Sequence, residues 1–331
     1  MKIGVLGAGG WGSALANLLS DNGHNVFLWS HEVPVVEEIN KDKTNASYLP
    51  GKIFNKNLIA TNDSDDLKDC EIILNTIPSQ YIRSAVKNFN LPLKNKSIVN
   101  GSKGIERNTL MRVSEILVDV IDINTEYYAI LTGPSHAEEV AKGMPTTVVS
   151  ASENSMFVKH LQQVFSNQNF RVYASDDVLG CEIGGSLKNV IAIAAGIIDG
   201  LGLGDNTKAA LITRGLAEIS RMGISLGANA LTFSGLSGLG DLIVTCNSQH
   251  SRNRSVGEQI GKGRKLNEII SSMKMVAEGV HTTESTFQLG ELHKVEMPIT
   301  NQMYKILFQD LSAQTAIYEL MTRTSKREWW W

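Results

Sequence analysis

The chain has 331 residues, enough for about two domains of ordinary size. Hydrophobic residues make up 42% and charged residues 20%, which excludes a disordered chain and predicts a large buried core. The formal net charge of -3 gives no basis for a nucleic-acid or membrane surface. Because no segment approaches the ~20 apolar residues of a membrane span, we expect a cytoplasmic protein without membrane insertion.

The first half of the chain alternates β-rich segments with stretches of helical length. The candidate strands are Met1–Leu6, Asn25–Trp29, Leu58–Thr61, Glu71–Ile77, Ser97–Asn100, Tyr127–Leu131, Thr146–Ser150 and Phe170–Ala174. Helical stretches between them include Gly12–Ser20, Ser79–Phe89, Leu110–Val120 and Asn154–Phe165. This alternation predicts an α/β fold with a mainly parallel sheet and helices on both faces.

Strand signals stop after about Asp177, and long helical patterns replace them. These patterns cover Cys181–Leu201, Thr207–Leu226, Ala277–His293 and Met297–Leu307. We therefore predict an α/β domain over residues 1–180 and an all-helical domain over residues 181–331. A ligand is expected at the carboxyl ends of the strands, in a crevice between the domains.

The segment Gly7-Ala8-Gly9-Gly10-Trp11-Gly12 is a GxGxxG motif between a strand and a predicted helix over Ser13–Leu19. Gly7 permits the tight turn, Gly9 allows a pyrophosphate to approach the backbone, and Gly12 allows the helix to pack on the strand. With Gly10, these residues would present free N–H groups at the positive end of a helix. The motif predicts a Rossmann-type dinucleotide-binding domain over residues 1–180.

The strand Asn25–Trp29 ends at Ser30-His31, where NAD sites usually place an acid that binds the ribose 2′-hydroxyl. Glu32 comes slightly late for that role. The missing acid removes repulsion against a 2′-phosphate, but no arginine is present to bind one. We therefore predict NAD(P) as the cofactor, with NADP slightly favoured.

Lys188 lies on the predicted helix Glu182–Leu201. The face opposite the apolar stripe carries Gly185, Lys188, Ala192, Ala195 and Asp199. Because this face is mostly Gly and Ala rather than charged, we expect it to contact protein or a cleft. Desolvation would lower the pKa of Lys188 and suit it to acid–base chemistry. The alternative is a buried ion pair, for example with Asp199.

Two further segments carry candidate ligand-binding residues. Lys103 follows the strand Ser97–Asn100, at the sheet edge that faces a cofactor crevice, and the alternative is an exposed loop lysine. The segment Gly133-Pro134-Ser135-His136-Ala137 follows another strand and starts a helix, with Ser135 as the predicted N-cap.

The cluster Ser251-Arg252-Asn253-Arg254 has the composition of a phosphate receptor at the start of a helix. Arginine binds phosphate bidentately, and Ser and Asn add neutral donors. The alternative for both arginines is a solvated charged face. The three cysteines, Cys70, Cys181 and Cys246, are widely separated and predict buried apolar side chains rather than disulfides or a metal site.

Eight motifs in one order resemble the bacterial-type NAD(P)-dependent glycerol-3-phosphate dehydrogenases over nearly the whole chain. They are GAGGWG (7–12), IPS (77–79), SKGIE (102–106), GPSHAEEVA (133–141), KN (188–189), GLGDL (238–242), SRNR (251–254) and AEGV (277–280). The resemblance implies hydride transfer between nicotinamide and C2 of glycerol 3-phosphate or dihydroxyacetone phosphate. It also implies a homodimer that supplies glycerol 3-phosphate for phospholipid synthesis.

The same resemblance implies roles for individual residues. Lys188 corresponds to the proton acceptor and donor, Lys103 to a lysine that touches substrate and nicotinamide, and Asp241 to the acid beside the catalytic lysine. Implied substrate contacts are Lys103, Gly133, Ser135, Lys188, Asp241, Ser251, Arg252 and Asn253. Implied cofactor contacts, beyond the glycine loop, are Trp11, His31, Lys103, Ala137, Arg252, Val276 and Glu278.

Two alternatives remain open from the sequence. A β-hydroxyacid dehydrogenase shares the domain layout and a helix lysine, but it binds a carboxylate, whereas the SRNR cluster favours phosphate. A non-catalytic dinucleotide sensor needs the glycine loop but neither Lys188 nor Lys103.

Overall fold

The chain forms two units in the computed structural model, which describes residues 1–89, 91–273 and 277–328. The first unit comprises Met1–Lys103 and Met111–Glu182, and the second comprises Gly104–Leu110 and Ile183–Trp331. The chain thus contributes a short internal segment, Gly104–Leu110, to the second unit before it returns to the first.

A single eight-stranded sheet organises the described part of the first unit. Its strands are β1 (Lys2–Leu6), β2 (Asn25–Trp29), β3 (Ile59–Thr61), β4 (Ile72–Asn75), β5 (Ser97–Asn100), β6 (Tyr128–Thr132), β7 (Thr146–Ala151) and β8 (Phe170–Ser175). The spatial order is β3-β2-β1-β4-β5-β6-β7-β8, and every pair is parallel except β6 with β7. All eight predicted strands and the mainly parallel sheet are confirmed.

The central strands are buried along their length rather than on alternate residues. All of β4 and β6 is buried, and so is β1 from Ile3 to Leu6. Helices that connect parallel strands cover both faces of a sheet, which is why these strands are buried along their length and mostly apolar. The carboxyl ends of β1 and β4 lie side by side, with Leu6 paired to Asn75, and the glycine loop begins there.

In the described part of the first unit, six α-helices accompany this sheet. They are α1 (Gly10–Asp21), α2 (Val33–Asp42), α3 (Ser79–Asn88), α4 (Val113–Ile121), α5 (Ala137–Ala141) and α6 (Ser155–Phe165). Helix α1 begins at Gly10 rather than at the predicted Ser13, so Trp11 and Gly12 lie in its first turn. Helix α2 carries Pro at its start and was not predicted.

Helices make up the described part of the second unit. They are α7 (Val178–Leu201), α8 (Gly204–Ser225), α9 (Asp241–Asn247), α10 (Arg252–Gly261), α11 (Leu266–Ser272), α12 (Glu278–His293), α13 (Pro298–Phe308) and α14 (Ala313–Met321). Helix α7 starts in the first unit and continues into the second. It is long and apolar enough to cross a membrane by composition, but its apolar window is entirely buried inside the protein.

Helices α7 and α10 cross with their backbones in contact. A Cβ atom at Gly196 would lie 1.9 Å from the carbonyl oxygen of Arg254, and one at Gly257 would lie 1.9 Å from that of Ile193. The pattern repeats one turn later: a Cβ atom at Gly200 would lie 2.3 Å from the carbonyl oxygen of Glu258, and one at Gly261 would lie 2.5 Å from that of Ile197. Glycine at these positions therefore sets the close approach of the helix that bears Lys188 and the helix that follows Ser251.

The three cysteines are buried and free, as predicted. Burial raises the pKa of Cys70 to about 11 and that of Cys246 to about 12. Both thiols are therefore protonated near neutral pH, and they behave as small apolar side chains rather than as nucleophiles.

Candidate active site

The glycine loop has the geometry that a bound pyrophosphate requires. Gly7 adopts φ +103°, and a Cβ atom at Gly12 would lie 1.9 Å from the carbonyl oxygen of Gly7. By contrast, a Cβ atom at Gly9 would meet nothing within 4 Å, so this position faces open space. The first N–H groups of an α-helix have no partner within the helix, so the start of α1 is suited to an anion.

Trp11 provides a second indication of a ligand. Its indole Nε1 is buried and has no hydrogen-bond partner among the described residues, although buried donors are normally paired. Gly101 lies next to it, since a Cβ atom there would be 3.0 Å from Nε1. Ala137, at the start of α5, lies beside Gly10, 3.7 Å from the position of a Cβ atom. The residues present therefore fit a dinucleotide at this loop.

The end of β2 leads to the residues that were predicted to bear on the adenosine ribose. His31 is exposed, and its ring centroid lies 6.5 Å from that of Trp29. Burial raises the pKa of Tyr48, and a hydrogen bond from Tyr48 to Glu32, with the charge of Glu32, raises it further. Glu32, the acid that comes late in the sequence, is therefore engaged by a neighbouring phenol.

Three predicted substrate contacts of the first unit meet at the carbonyl oxygen of Gly133. Lys103 Nζ donates to it at 3.3 Å, and Ser135 Oγ donates to it at 3.0 Å. Gly133 adopts φ +135°, a conformation that favours glycine. The prediction that Ser135 caps the next helix is wrong: His136 occupies the N-cap position of α5, because Ser135 turns back to Gly133.

In the second unit, Lys188 is 6% exposed and forms an ion pair with Asp241. Its Nζ also donates to Thr245 Oγ1 at 2.7 Å, and all three residues are buried. The burial of Lys188 confirms that its Gly- and Ala-rich helix face is covered. The alternative pairing with Asp199 is wrong, since Asp199 binds Lys208 and Arg254 instead.

The SRN cluster opens a helix, as predicted. Ser251 is the N-cap of α10, and its Oγ accepts from the backbone N–H of Arg254 at 3.2 Å. Ser251 and Asn253 are buried, whereas Arg252 is exposed. Asn253 Oδ1 accepts from the backbone N–H of Gly279 at 3.0 Å and so joins the first turns of α10 and α12.

Glu278 is the first residue of α12, beside that hydrogen bond. Val276, the other predicted cofactor contact in this region, lies outside the described residues. Arg254 forms an ion pair with Asp199. The alternative that both arginines lie on a solvated face is therefore wrong for Arg254.

Two buried polar residues at this site were not predicted. Thr245 binds Lys188, and its position four residues after Asp241 on α9 puts both side chains on one helix face. That spacing was the signal that could have found it. Asn189 is buried next to Lys188, and a Cβ atom at Gly279 would lie 2.8 Å from its carbonyl oxygen.

Comparison with known proteins identifies the family of the chain. Two family models match, NAD-dependent glycerol-3-phosphate dehydrogenase N-terminus over residues 2–158 and C-terminus over residues 177–318. The glycerol-3-phosphate dehydrogenase (NAD(P)+) of Citrifermentans bemidjiense is 50% identical over 331 residues, covering 99% of this chain and 98% of that protein. The enzyme of the same name from Lysinibacillus sphaericus is 49% identical over 330 residues, covering 99% and 98%.

A solved structure gives the same result. The crystal structure of glycerol-3-phosphate dehydrogenase from Coxiella burnetii superimposes with a TM-score of 0.92 at 39% identity, covering 97% of this chain and 99% of that chain. The chain therefore belongs to the NAD(P)-dependent glycerol-3-phosphate dehydrogenase family.

Proposed function

We propose that this chain interconverts dihydroxyacetone phosphate and glycerol 3-phosphate with NAD(P)(H). The observation that carries the proposal is the buried Lys188, whose Nζ contacts Asp241 and Thr245. A buried lysine with two acceptors has a defined position and a compensated charge, as a proton-transferring group requires. Membership of the family supports the same reaction.

In this proposal Lys188 transfers the proton. The bound nicotinamide cofactor supplies the hydride to C2, or accepts it in the reverse direction. During reduction, negative charge grows on the C2 oxygen, and the Lys188 ammonium stabilises that charge and donates a proton to it. During oxidation, neutral Lys188 accepts the hydroxyl proton. Asp241 holds Nζ in place, and Lys103, with Gly133 and Ser135, contacts the substrate.

Ser251, Arg252 and Asn253 are proposed to bind the substrate phosphate. They lie at the N-cap and in the first turn of α10, where the helix dipole favours an anion. Arg252 is exposed, and an arginine side chain can contact a phosphate bidentately. Arg252, Glu278 and Val276 are also proposed as cofactor contacts, on the family resemblance.

Both nicotinamide cofactors are proposed to bind. Gly7, Gly9 and Gly12 would hold the pyrophosphate, and the buried Trp11 Nε1 would donate to the dinucleotide. Glu32, the acid nearest the end of β2, is engaged by Tyr48, which limits its availability for a ribose hydroxyl. We therefore propose NADP as the slightly favoured cofactor, with His31 in contact with it.

The assembly and location of the protein are part of the same proposal. We propose a cytoplasmic homodimer without membrane insertion that supplies glycerol 3-phosphate to phospholipid synthesis. Light scattering on the purified chain measures the oligomeric state, and a mass equal to that of one chain would contradict the dimer.

The reaction is tested by mixing the purified protein with dihydroxyacetone phosphate and following absorbance loss from NADPH and, separately, NADH. We expect rapid oxidation that requires the phosphorylated ketone and that Lys188→Ala abolishes. Dihydroxyacetone, which lacks the phosphate, is the matched control substrate. The ratio of the two rates measures cofactor preference.

The same assay separates the alternatives. Oxidation of NADPH or NADH in the presence of a 3-oxo acid, but not of dihydroxyacetone phosphate, would favour the β-hydroxyacid dehydrogenase. Cofactor binding without oxidation of any substrate would favour the dinucleotide sensor.

A further inference from the structure

Asp199 lies on α7, the helix of Lys188, and binds two cations. Its Oδ2 accepts from Arg254 Nε at 2.6 Å, and both carboxylate oxygens accept from Lys208 Nζ at 2.9 Å. The three side chains are between 13% and 20% exposed. The ion pairs are therefore partly desolvated and stronger than exposed pairs.

Arg254 is fixed by its backbone as well as by its side chain. Its N–H donates to Ser251 Oγ at 3.2 Å, which caps α10. Its carbonyl oxygen lies against Gly196 of α7, where a Cβ atom would be only 1.9 Å away. Arg254 is thus the point at which the first turn of α10 is attached to the helix that carries Lys188.

From this geometry we propose that Asp199 is a positioning residue for phosphate recognition. It holds Arg254, and through Arg254 it holds the turn formed by Ser251, Arg252 and Asn253. This inference rests on the proposed function, because it assumes that the turn binds the substrate phosphate. Asp199 itself touches neither the substrate nor the reacting atoms in this proposal.

The charge of Asp199 makes the proposal testable by the sign of an effect. A carboxylate near a phosphate site repels the phosphate, so removing its charge would strengthen phosphate binding if Asp199 acted through Coulomb interaction alone. If Asp199 acts by position, the same substitution releases Arg254, displaces the turn and weakens phosphate binding.

The experiment compares wild type, Asp199→Asn and Asp199→Glu. For each, kcat/KM is measured with dihydroxyacetone phosphate and with dihydroxyacetone, and inorganic phosphate is titrated as a competitive inhibitor. We expect Asp199→Asn to lower the ratio of the two kcat/KM values and to weaken phosphate inhibition by about tenfold, the effect of losing a charge-assisted hydrogen bond. Asp199→Glu keeps the charge and should restore part of both.

Lys305→Met is the control, because Lys305 also forms an ion pair in the second unit, with Glu319 of α14, but is 42% exposed and contacts neither Asp199 nor Arg254 in that pair. It should leave the ratio unchanged. Global damage would lower activity on both ketones equally and leave the ratio alone, so the ratio reports phosphate handling only.

If Asp199→Asn does not fold, Arg254→Lys tests the same link, because it keeps the positive charge but removes the Nε donor that Asp199 binds, and it should lower the ratio. An unchanged ratio, or tighter phosphate inhibition, in whichever variant folds would overturn the inference. Failure of the proposed function is distinguishable, since it would appear as a wild-type protein that does not reduce dihydroxyacetone phosphate.

Discussion

Lys188 Nζ donates a hydrogen bond to Thr245 Oγ1 at 2.7 Å, and the same hydroxyl donates to the backbone carbonyl of Asp241 at 2.6 Å. A hydroxyl has one proton, so its commitment to the carbonyl leaves the oxygen of Thr245 as an acceptor for lysine. Together with the carboxylate of Asp241, this oxygen holds the ammonium of Lys188 in a buried position.

Replacing Lys188 should remove the proton-transferring group. General acid–base catalysis contributes roughly 10²–10⁴-fold, so Lys188→Ala should lose at least ~10²-fold in kcat. The KM for the cofactor should stay nearly unchanged, because the glycine loop lies in the other unit. Steady-state kinetics measure both, and wild-type turnover in this variant would refute the assignment.

Thr245→Val keeps the side-chain shape but removes the acceptor. The Lys188 ammonium then keeps Asp241 but loses a hydrogen bond, and a neutral-to-charged hydrogen bond contributes roughly 1.5–3 kcal/mol. We expect kcat to fall about tenfold, which corresponds to about 1.4 kcal/mol. Thr245→Ser restores the hydroxyl and serves as the control, so loss of activity in both variants alike would contradict the hydrogen-bond explanation.

Arg252→Ala should weaken substrate binding and leave kcat nearly unchanged. Arg252 is exposed, so the variant should fold normally. Loss of a bidentate phosphate contact should raise the KM for dihydroxyacetone phosphate by about tenfold or more. Initial rates measured at varied substrate and cofactor concentrations test this prediction. A rise confined to the KM for the cofactor would contradict the phosphate-binding role.

Gly9 and Gly12 offer a matched pair of substitutions in one loop. Alanine at Gly12 would place a Cβ atom 1.9 Å from the Gly7 carbonyl oxygen, so both stability and cofactor affinity should fall. Alanine at Gly9 meets nothing within 4 Å in the protein, so the thermal unfolding temperature should stay unchanged while the cofactor binds more weakly. Calorimetric titration with NADPH and thermal melts test both, and unchanged affinity in Gly9→Ala would contradict the pyrophosphate position.

Glu218 should make stability depend on pH. Burial raises its pKa from 4.5 to about 7, against the opposing hydrogen bonds from the backbone of Ile299 and Thr300. Since the folded pKa is the higher one, the stabilising contribution is complete below pH 4.5 and is lost as the pH rises through about 7. With about 1.4 kcal/mol for each pKa unit, the loss amounts to about 3 kcal/mol.

The variant Glu218→Gln cannot ionise and provides the comparison. Denaturant unfolding of both proteins from pH 4.5 to 8 should show the wild-type free energy of unfolding falling relative to that of the variant. Parallel pH profiles would mean that Glu218 has the same pKa in the folded and unfolded states.

Local patterns predicted the secondary structure well. The strands β2 and β5 have their predicted ends, Asn25–Trp29 and Ser97–Asn100, because each is a short apolar run bounded by polar residues. Helix α2 escaped prediction, and α1 begins earlier than predicted, at Gly10. Glycines weaken the helical signal at that point, yet the loop geometry allows the helix to start among them.

Partners of polar side chains were harder to predict. Ser135 was expected to cap a helix and instead donates to Gly133, and Lys188 pairs with Asp241 rather than with Asp199. Lys188 and Asp199 lie on one face of α7, but eleven residues of helix separate them by about 16 Å, too far for an ion pair. Asp241, the actual partner, is 53 residues away in the chain. Such a partner depends on how α7 and α9 pack.

The sheet, the glycine loop and a lysine on a helix face made mostly of Gly and Ala could be predicted from the sequence, because they follow from local periodicity and residue type. The tertiary structure alone decided that Thr245 and Asp241 hold that lysine, that Asp199 binds Arg254, and that residues 104–110 belong to the second unit. Gly104 shows the reason: its N–H donates to Ser186 Oγ at 2.9 Å, across 82 residues of sequence. Sequence periodicity carries no information about such a contact, which forms only when segments that are distant in the chain pack together.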